Sequence, residues 1–386
     1  MNTINNTQHL FSNLMNLVRD GADAFFFKDF ELNSRVYRIF NYRLASYTQF
    51  QLADAKNCRG TMFDVTDASN PLLVSLPPEK FFNYEEGAVD HNTDKRLGDI
   101  MVKMDGSLIS TYTHESQLML KSKGSLFSSQ AVDATKLLAM PSFVDLANNL
   151  SVLANEGFTV NLEYTAPHNR IVIPYQQEAL TVLSVRRHAD GRNFFASSLM
   201  KEFLSSFPSL EPHLVEFRNE ELTPDYFVEK SRDEQEGEGY VVEIIPVDGS
   251  SPYLIKAKNT RYSTLHHTKD SVNSDRRLFD AIIEEASDDL RGMFADDVWV
   301  LNRVAEMENK VMPVFNKIVA TVEDFVTANK SLIRKDFAIL AKQQHPELMS
   351  LMMNIYLERE NDYREFAKKH RKDIFGIGDI EVDRDE

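Results

Sequence analysis

The chemistry most open to this chain begins at Lys103-Met104-Asp105-Gly106-Ser107. A short apolar run, Ile100-Met101-Val102, leads into the lysine, and Asp-Gly follows one residue after it. The run predicts a strand end, and the Asp-Gly pair a turn that folds the backbone back. A lysine held there stands at the mouth of a pocket, near backbone N–H groups, and an amine so placed can act as a covalent nucleophile. The same residues also fit an exposed hairpin with a solvated lysine. K-x-D-G arises by chance in roughly one chain in ten of this length, so other residues must decide.

Four further strings fall on predicted strands or strand ends: Cys58-Arg59-Gly60, Asn161-Leu162-Glu163-Tyr164, Glu238-Gly239-Tyr240-Val241 and Lys256-Ala257-Lys258. Residues two apart on a strand point to one face, so Lys256 and Lys258 present their ammonium groups together. Singly, each string has a plainer reading as a solvated lysine face, a surface ion pair or a turn. Together they make one chemistry. An ordinary lysine is neutral in roughly one molecule in a thousand at pH 7.4, and neighbouring cations disfavour its protonated form. Lys256, Lys258 and a divalent metal supply such cations, and the same charges neutralise a triphosphate. Arg59 and Lys80 can orient phosphates, Glu163 can accept from a ribose hydroxyl, and Glu238 can hold metal-bound water. There is no GxxxxGK[ST] loop and no GxGxxG fingerprint, so a nucleotide would be held in another way.

The elements that must position these residues come in two kinds. Residues 8–19 have the apolar spacing of a helix. Short strands are predicted around Tyr37 and Met62, over 72–76, as a hairpin over 108–112 and 118–123, and over 158–164, 180–186, 240–245 and 253–258. Residues 129–155, broken at Pro141, and short stretches over 197–204 and 224–230 are predicted helices. After about residue 273 the period is helical throughout: 278–283, 298–330 with a kink at Pro313, 332–343, and 346–370 with Pro346 in the first turn. This predicts an α+β fold of antiparallel sheets flanked by helices over residues 1–268, then an all-helical domain over 269–386. His266-His267 has no ligand partner at metal spacing and reads as surface; Trp299 and the Met349–Met353 cluster read as helix packing.

The bulk properties narrow the partners. The net charge of −16 over 386 residues excludes a wholly basic nucleic-acid coat. It leaves room for a local basic cleft, since charge is screened within about 8 Å at physiological salt. The single Cys58 cannot form an internal disulfide, which fits a reducing cytoplasm. The first twenty residues lack the pattern of a signal peptide, and no apolar run approaches the ~20 residues that span a bilayer, so no membrane partner is expected.

In this order, K-x-D-G, an apolar-E-aromatic string, E-G-Y and K-x-K resemble the covalent nucleotidyltransferases. The longer strings CRGTMFD, PPEKFFN, KMDGSLIST, LKSKGS, NLEYTAPHNRIV, EGYVV and KAKNTRYSTLHHTK, with EEASDDLRGMFADD beyond them, resemble the phage RNA ligase 1 family of the tRNA-repair type. The resemblance covers residues 10 to about 300 well and the rest loosely. It implies an ATP-dependent ligase that joins a 5′-phosphate to a 3′-hydroxyl RNA end through a lysyl-AMP intermediate. Lys103 matches the adenylated lysine. Tyr37, Arg59, Lys80 and Lys123 match ATP-contacting positions, and Glu163 the ribose-binding glutamate. Leu183 and Val241 match walls of the adenine pocket. Glu238, Lys256 and Lys258 match the metal-linked acid and the phosphate-contacting pair. Tyr262 matches an essential tyrosine, and Asp288 a metal-binding aspartate, although Asp288-Asp289 also suits a helix cap or a solvated pair. The implied co-substrate is ATP, the metal Mg2+ with Mn2+ as its substitute, and the RNA a tRNA broken in its anticodon loop. The implied setting is a monomer in the cytoplasm, that of a bacterial host for a phage protein. The alternatives are a DNA ligase or capping enzyme, which would carry an OB-fold after K-x-K, and a non-catalytic tRNA-binding protein that kept the fold.

Overall fold

A computed structural model describes residues 7–19, 24–43, 45–84, 94–169, 171–295, 297–359 and 361–379. The chain forms two compact units, Met1–Thr264 and Leu265–Arg384.

The first unit is built on three sheets. Helix α1 (Thr7–Arg19) precedes β1 (Phe25–Leu32), β2 (Arg35–Tyr42), β3 (Thr61–Asp64) and β4 (Leu72–Ser75), an antiparallel sheet in that order. Leu10, Leu14 and Leu17 lie four and three residues apart, so α1 puts them on one face, against Phe40 and Phe63. Strand β1 has no counterpart in the sequence reading. Three consecutive phenylalanines hide its alternation, which shows only in its eight-residue pairing with β2.

The other two sheets share the segment that carries Lys103. The strands are β5 (Phe82–Asn83), β6 (Lys95–Val102), β7 (Ser107–His114), β8 (Gln117–Ser122), β9 (Phe158–Thr165), β10 (Ala179–Arg187), β11 (Asn193–Phe194), β12 (Phe217–Arg218), β13 (Gly239–Pro246) and β14 (Tyr253–Lys258). One sheet runs β12-β6-β13-β14-β5, antiparallel except where β5 joins β14 in parallel; the other runs β11-β10-β9-β7-β8, antiparallel throughout. Strands β6 and β7 therefore belong to different sheets. Asp105-Gly106 does not close a hairpin between them, as the sequence suggested. It carries the chain from one sheet to the other, because Met101 and Val102 pair with β13 while Ser107 pairs with Tyr164 of β9.

Helices cover the outer faces. α2 (Ser129–Leu138) starts at Ser128, whose side chain accepts from the Ala131 N–H. With α3 (Val144–Asn155) it packs on the five-stranded antiparallel sheet. Leu146, Leu150 and Leu153 of α3 are fully buried there, each stabilising by roughly 2 kcal/mol. α4 (Ala196–Phe203) adds Leu199 to the same core, and α5 (Pro224–Arg232) puts Phe227 and Val228 against the sheet that holds β13 and β14.

α6 (Thr260–Asn273) carries the chain from the first unit into the second; the side chains of His266 and His267, read as surface in the sequence, lie outside the described residues. The second unit is helical among the described residues: α7 (Asp275–Ile283), α8 (Ser287–Met293), α9 (Val298–Asn329), α10 (Arg334–Gln344), α11 (Met349–Tyr356), α12 (Tyr363–Lys369) and α13 (Arg371–Phe375). α9 runs through Pro313 and buries Val300, Val304, Met307, Val311 and Val322 along one stripe. Trp299, Met349 and Met353 pack against this core. The single helix expected over 346–370 is broken. Pro346 lies in a turn before α11, Glu358 takes a left-handed conformation (φ 56°), and Asp362 caps a new helix by accepting from the Glu365 N–H. Among the described residues, no single helix is long and apolar enough to cross a membrane.

Candidate active site

The first unit brings most of the sequence-predicted residues together around one buried carboxylate. Lys103 extends the pairing of β6 with β13: its N–H donates to the Gly239 carbonyl at 2.9 Å. That register sets the lysine beside Glu238, and Lys103 Nζ lies 2.6 Å from Glu238 Oε2. Lys258 is the β14 partner of Gly239, and its Nζ lies 3.1 Å from Glu238 Oε1. Glu238, 3 % exposed, thus stands between two ammonium groups. Gly239 is required here. It has φ 121°, and a Cβ would run into the Ala257 carbonyl oxygen on β14.

Glu163 comes from the other sheet. Its Oε1 accepts from the Gly106 N–H at 3.0 Å, and any Cβ on Gly106 would strike the Tyr164 carbonyl. Burial pushes the Glu163 carboxyl up to about 7; Lys103 opposes this and Glu238 adds to it. Two carboxylates and one lysine therefore share the crossing between the sheets.

The remaining cations gather on aromatic faces. Lys256 Nζ lies 5.3 Å and the Arg59 guanidinium 5.8 Å from the centre of the Phe81 ring. Lys80 lies 5.3 Å from the Phe82 ring and 5.7 Å from Tyr42, and Lys123 lies 5.6 Å from Tyr42. Burial, then Lys80, Lys103, Arg59 and Lys258 in that order, push the Lys256 ammonium down to about 6. Such a concentration of positive charge on half-buried groups suits a polyanion. Leu183 and Val241 meet in an apolar cluster with Met104, the residue after the nucleophile candidate. Leu183 sits where the pairing of β9 and β10 slips, a bulge of the kind that re-aims side chains near sites.

Asp105 anchors the turn. Its carboxylate is buried, and Oδ1 accepts from the Tyr262 hydroxyl at 2.6 Å. Burial and the charges of Glu238 and Asp105 push the Tyr262 hydroxyl far above the ordinary tyrosine range.

Two sequence candidates have other surroundings: Tyr37 within the first unit, and Asp288 in the second. Tyr37 is buried with Tyr112, its hydroxyl lies 2.7 Å from His114 Nδ1, and burial pushes it up to about 12. It is a core residue in this structure, not part of the Lys103 cluster. Asp288 lies in the first turn of α8 with its side chain 97 % exposed, 3.7 Å from Arg291. That matches the solvated reading of Asp288-Asp289, with Arg291 one turn along the helix. No group of three or more metal-ligating side chains occurs among the described residues. Mg2+ is commonly held by one or two carboxylates with substrate phosphates completing its shell, and Glu238 with Glu163 fits that pattern. Sequence reasoning assigned nothing to Tyr42, Phe81 or Tyr175. Aromatic residues on strands look like core, and only the neighbouring Arg59, Lys80 and Lys123 hinted at more.

Several known proteins are similar to this chain. The chain is 27 % identical over 281 residues to RNA ligase 1 of bacteriophage TS2126, covering 70 % of this chain and 66 % of that protein. It is 26 % identical over 263 residues to a putative bifunctional polynucleotide kinase/RNA ligase of Autographa californica nuclear polyhedrosis virus, covering 61 % and 34 %. The chain thus spans from about a third to two thirds of these relatives. Among solved structures, an archaeal ATP-dependent RNA ligase aligns with TM-score 0.45 at 11 % identity, over 83 % of this chain and 80 % of that one. A putative ATP-dependent DNA ligase from Aquifex aeolicus aligns with TM-score 0.41 at 14 % identity, over 78 % and 72 %. Residues 269–374 match the T4 RNA ligase 1 C-terminal domain. Residues 57–262, more than half of the chain and the span from Arg59 to Tyr262, match the RNA ligase family, and the chain belongs to that family, in its T4 RNA ligase 1 branch.

Proposed function

We propose that this protein is an ATP-dependent RNA ligase working through AMP bonded to Lys103. The observation that carries the reading is Glu238, held between Lys103 and Lys258 at 2.6 and 3.1 Å beside the Lys256 cluster. In the first step the deprotonated Lys103 amine attacks the α-phosphorus of ATP. An N–P bond forms, the bond to the bridging oxygen breaks, and pyrophosphate leaves. Lys256, Lys258, Lys80 and Arg59 stabilise the charge that grows on the leaving group. In the second step an oxygen of the RNA 5′-phosphate attacks the same phosphorus and the N–P bond breaks, returning the amine. In the third, the RNA 3′-hydroxyl attacks the 5′-phosphorus, loses its proton and releases AMP.

Glu163 receives the ribose, while Leu183 and Val241 flank the base. Mg2+, bound with the nucleotide, supplies further neutralisation of phosphate charge, and Glu238 and Glu163 are the carboxylates that would hold it or its waters. Residues 1–268 perform nucleotidyl transfer, and residues 269–386 choose the RNA, a tRNA broken in its anticodon loop, in a cytoplasmic setting. Incubation with α-labelled ATP and Mg2+ tests the first step: covalent label that chases onto 5′-phosphorylated RNA supports it, and an unlabelled protein refutes it.

A further inference from the structure

The segment joining β9 to β10 lies across the turn that carries Lys103. The Asn169 side-chain amide donates to Ser107 Oγ at 3.1 Å and to the Tyr164 carbonyl at 3.3 Å. The N–H groups of Val172 and Ile173 both donate to Asp105 Oδ2, at 2.8 and 2.7 Å. In return, the Asp105 N–H donates to the Tyr175 hydroxyl oxygen at 3.0 Å. The next amide, that of Gly106, goes to Glu163. Two successive N–H groups after Lys103-Met104 are thus held by two different side chains, and only one of them, Glu163, has a part in the proposed chemistry.

We infer that Tyr175 is a positioning residue for the nucleophile: by accepting the Asp105 N–H it fixes the backbone two residues beyond Lys103, and so the line along which the amine meets phosphorus. Asn169 does the same from the far side of the turn, through Ser107. The Tyr175 hydroxyl suits the task. Burial and the carboxylates of Asp105, Glu163 and Glu238 push it up to about 12, so it stays a neutral acceptor through the working range. The turn needs such fixing because it belongs to neither sheet. Misplacing a reacting atom by about 1 Å can cost on the order of 10²-fold in rate.

This inference rests on the reading of Lys103 as the nucleophile, and the test separates the two. Tyr175→Phe keeps the ring and removes the acceptor. In the full chain, the single-turnover rate of Lys103 adenylation at saturating ATP should fall on the order of tenfold, with KM for ATP within about twofold of wild type. Hydrogen exchange of the Asp105 amide, followed in the 103–107 peptide, should quicken on the order of tenfold. A wild-type rate, or a loss confined to KM, would overturn the assignment, since the latter marks a substrate contact. If the wild type takes no label at all, the ligase reading fails, yet the exchange measurement still decides: an unchanged Asp105 amide overturns the clamp. Asn169→Ala gives a second test that does not depend on Tyr175→Phe folding. It should show a rate loss at unchanged KM and faster exchange in the same peptide, and wild-type behaviour in both would likewise overturn the clamp.

Discussion

Lys256 should take up a proton when nucleotide binds. Burial and four neighbouring cations hold its ammonium at about 6 in the free protein, against an ordinary 10.5. At pH 7.5 only about 3 % of the molecules then carry the charge. Phosphates reverse the balance, because an anion beside the group favours its charged form. A rise to about 8.5 on binding would leave roughly 90 % charged, an uptake of about 0.9 proton per nucleotide. The sign follows directly: affinity rises as pH falls, by up to about tenfold per unit between the free and bound values. The assay is titration calorimetry with an ATP analogue carrying a methylene bridge between the α- and β-phosphorus, which blocks chemistry. Repeating it in phosphate and Tris buffers yields the proton count. Glu163 titrates in the same range, so the Lys256 share is the difference between wild type and Lys256→Met. A difference below about 0.2 proton would refute the reasoning, since Lys256 would already be charged in the free protein.

Three further outcomes follow from the same geometry. Glu163, raised to about 7 from 4.5, favours its protonated form in the fold, so its stabilising share is full below about 4.5 and is lost as pH rises through 7. Glu163→Gln keeps an acceptor for Gly106 and should therefore gain stability relative to wild type from pH 5 to 8, by up to roughly 3 kcal/mol; a pH-independent difference in urea midpoints contradicts this. Lys121, fully buried, donates to the Gly60 carbonyl at 2.7 Å and sits at about 7 through burial, so wild-type stability falls as pH drops from above 10 through 7. Lys121→Met should lack that decline while leaving the Gly60 carbonyl unmet at a cost of about 1–3 kcal/mol, and parallel stability profiles for the two proteins would rule it out. Lys258→Ala should slow lysine adenylation on the order of 10² while weakening ATP binding far less, and a near wild-type rate would mean that Lys258 lies away from the reacting phosphate.

The strands around Glu163 and over Lys256-Ala257-Lys258 were legible because apolar and polar residues alternate along them. What a linear pattern cannot carry is which sheet a strand joins. Asp105-Gly106 looked like a hairpin because its local signal is that of one, and the partners that pull β6 and β7 apart lie in β13 and β9, far along the chain. Strand β1 was lost in Phe25-Phe26-Phe27, where all three residues are apolar. The break before α12 was lost because Glu358 takes a left-handed conformation that its residue type does not announce. At the site, charged residues in short motifs stood out. Tyr42, Phe81 and Tyr175 did not, because an aromatic that collects cations or accepts one N–H is indistinguishable in sequence from one that fills a core. Tyr37 is the reverse case, a tyrosine singled out by resemblance whose hydroxyl is engaged by His114.

The central claim is that Lys103 becomes bonded to AMP beside Glu238 and Lys258. The most direct measurement is to incubate the full chain with α-labelled ATP and Mg2+, quench, digest and locate the label by mass spectrometry, with Lys103→Ala in parallel. The account predicts one acid-labile AMP on the peptide containing Lys103, absent from the mutant while its circular dichroism and melting match wild type. Label on another residue, or a Lys103→Ala protein that labels as well as wild type, would contradict it.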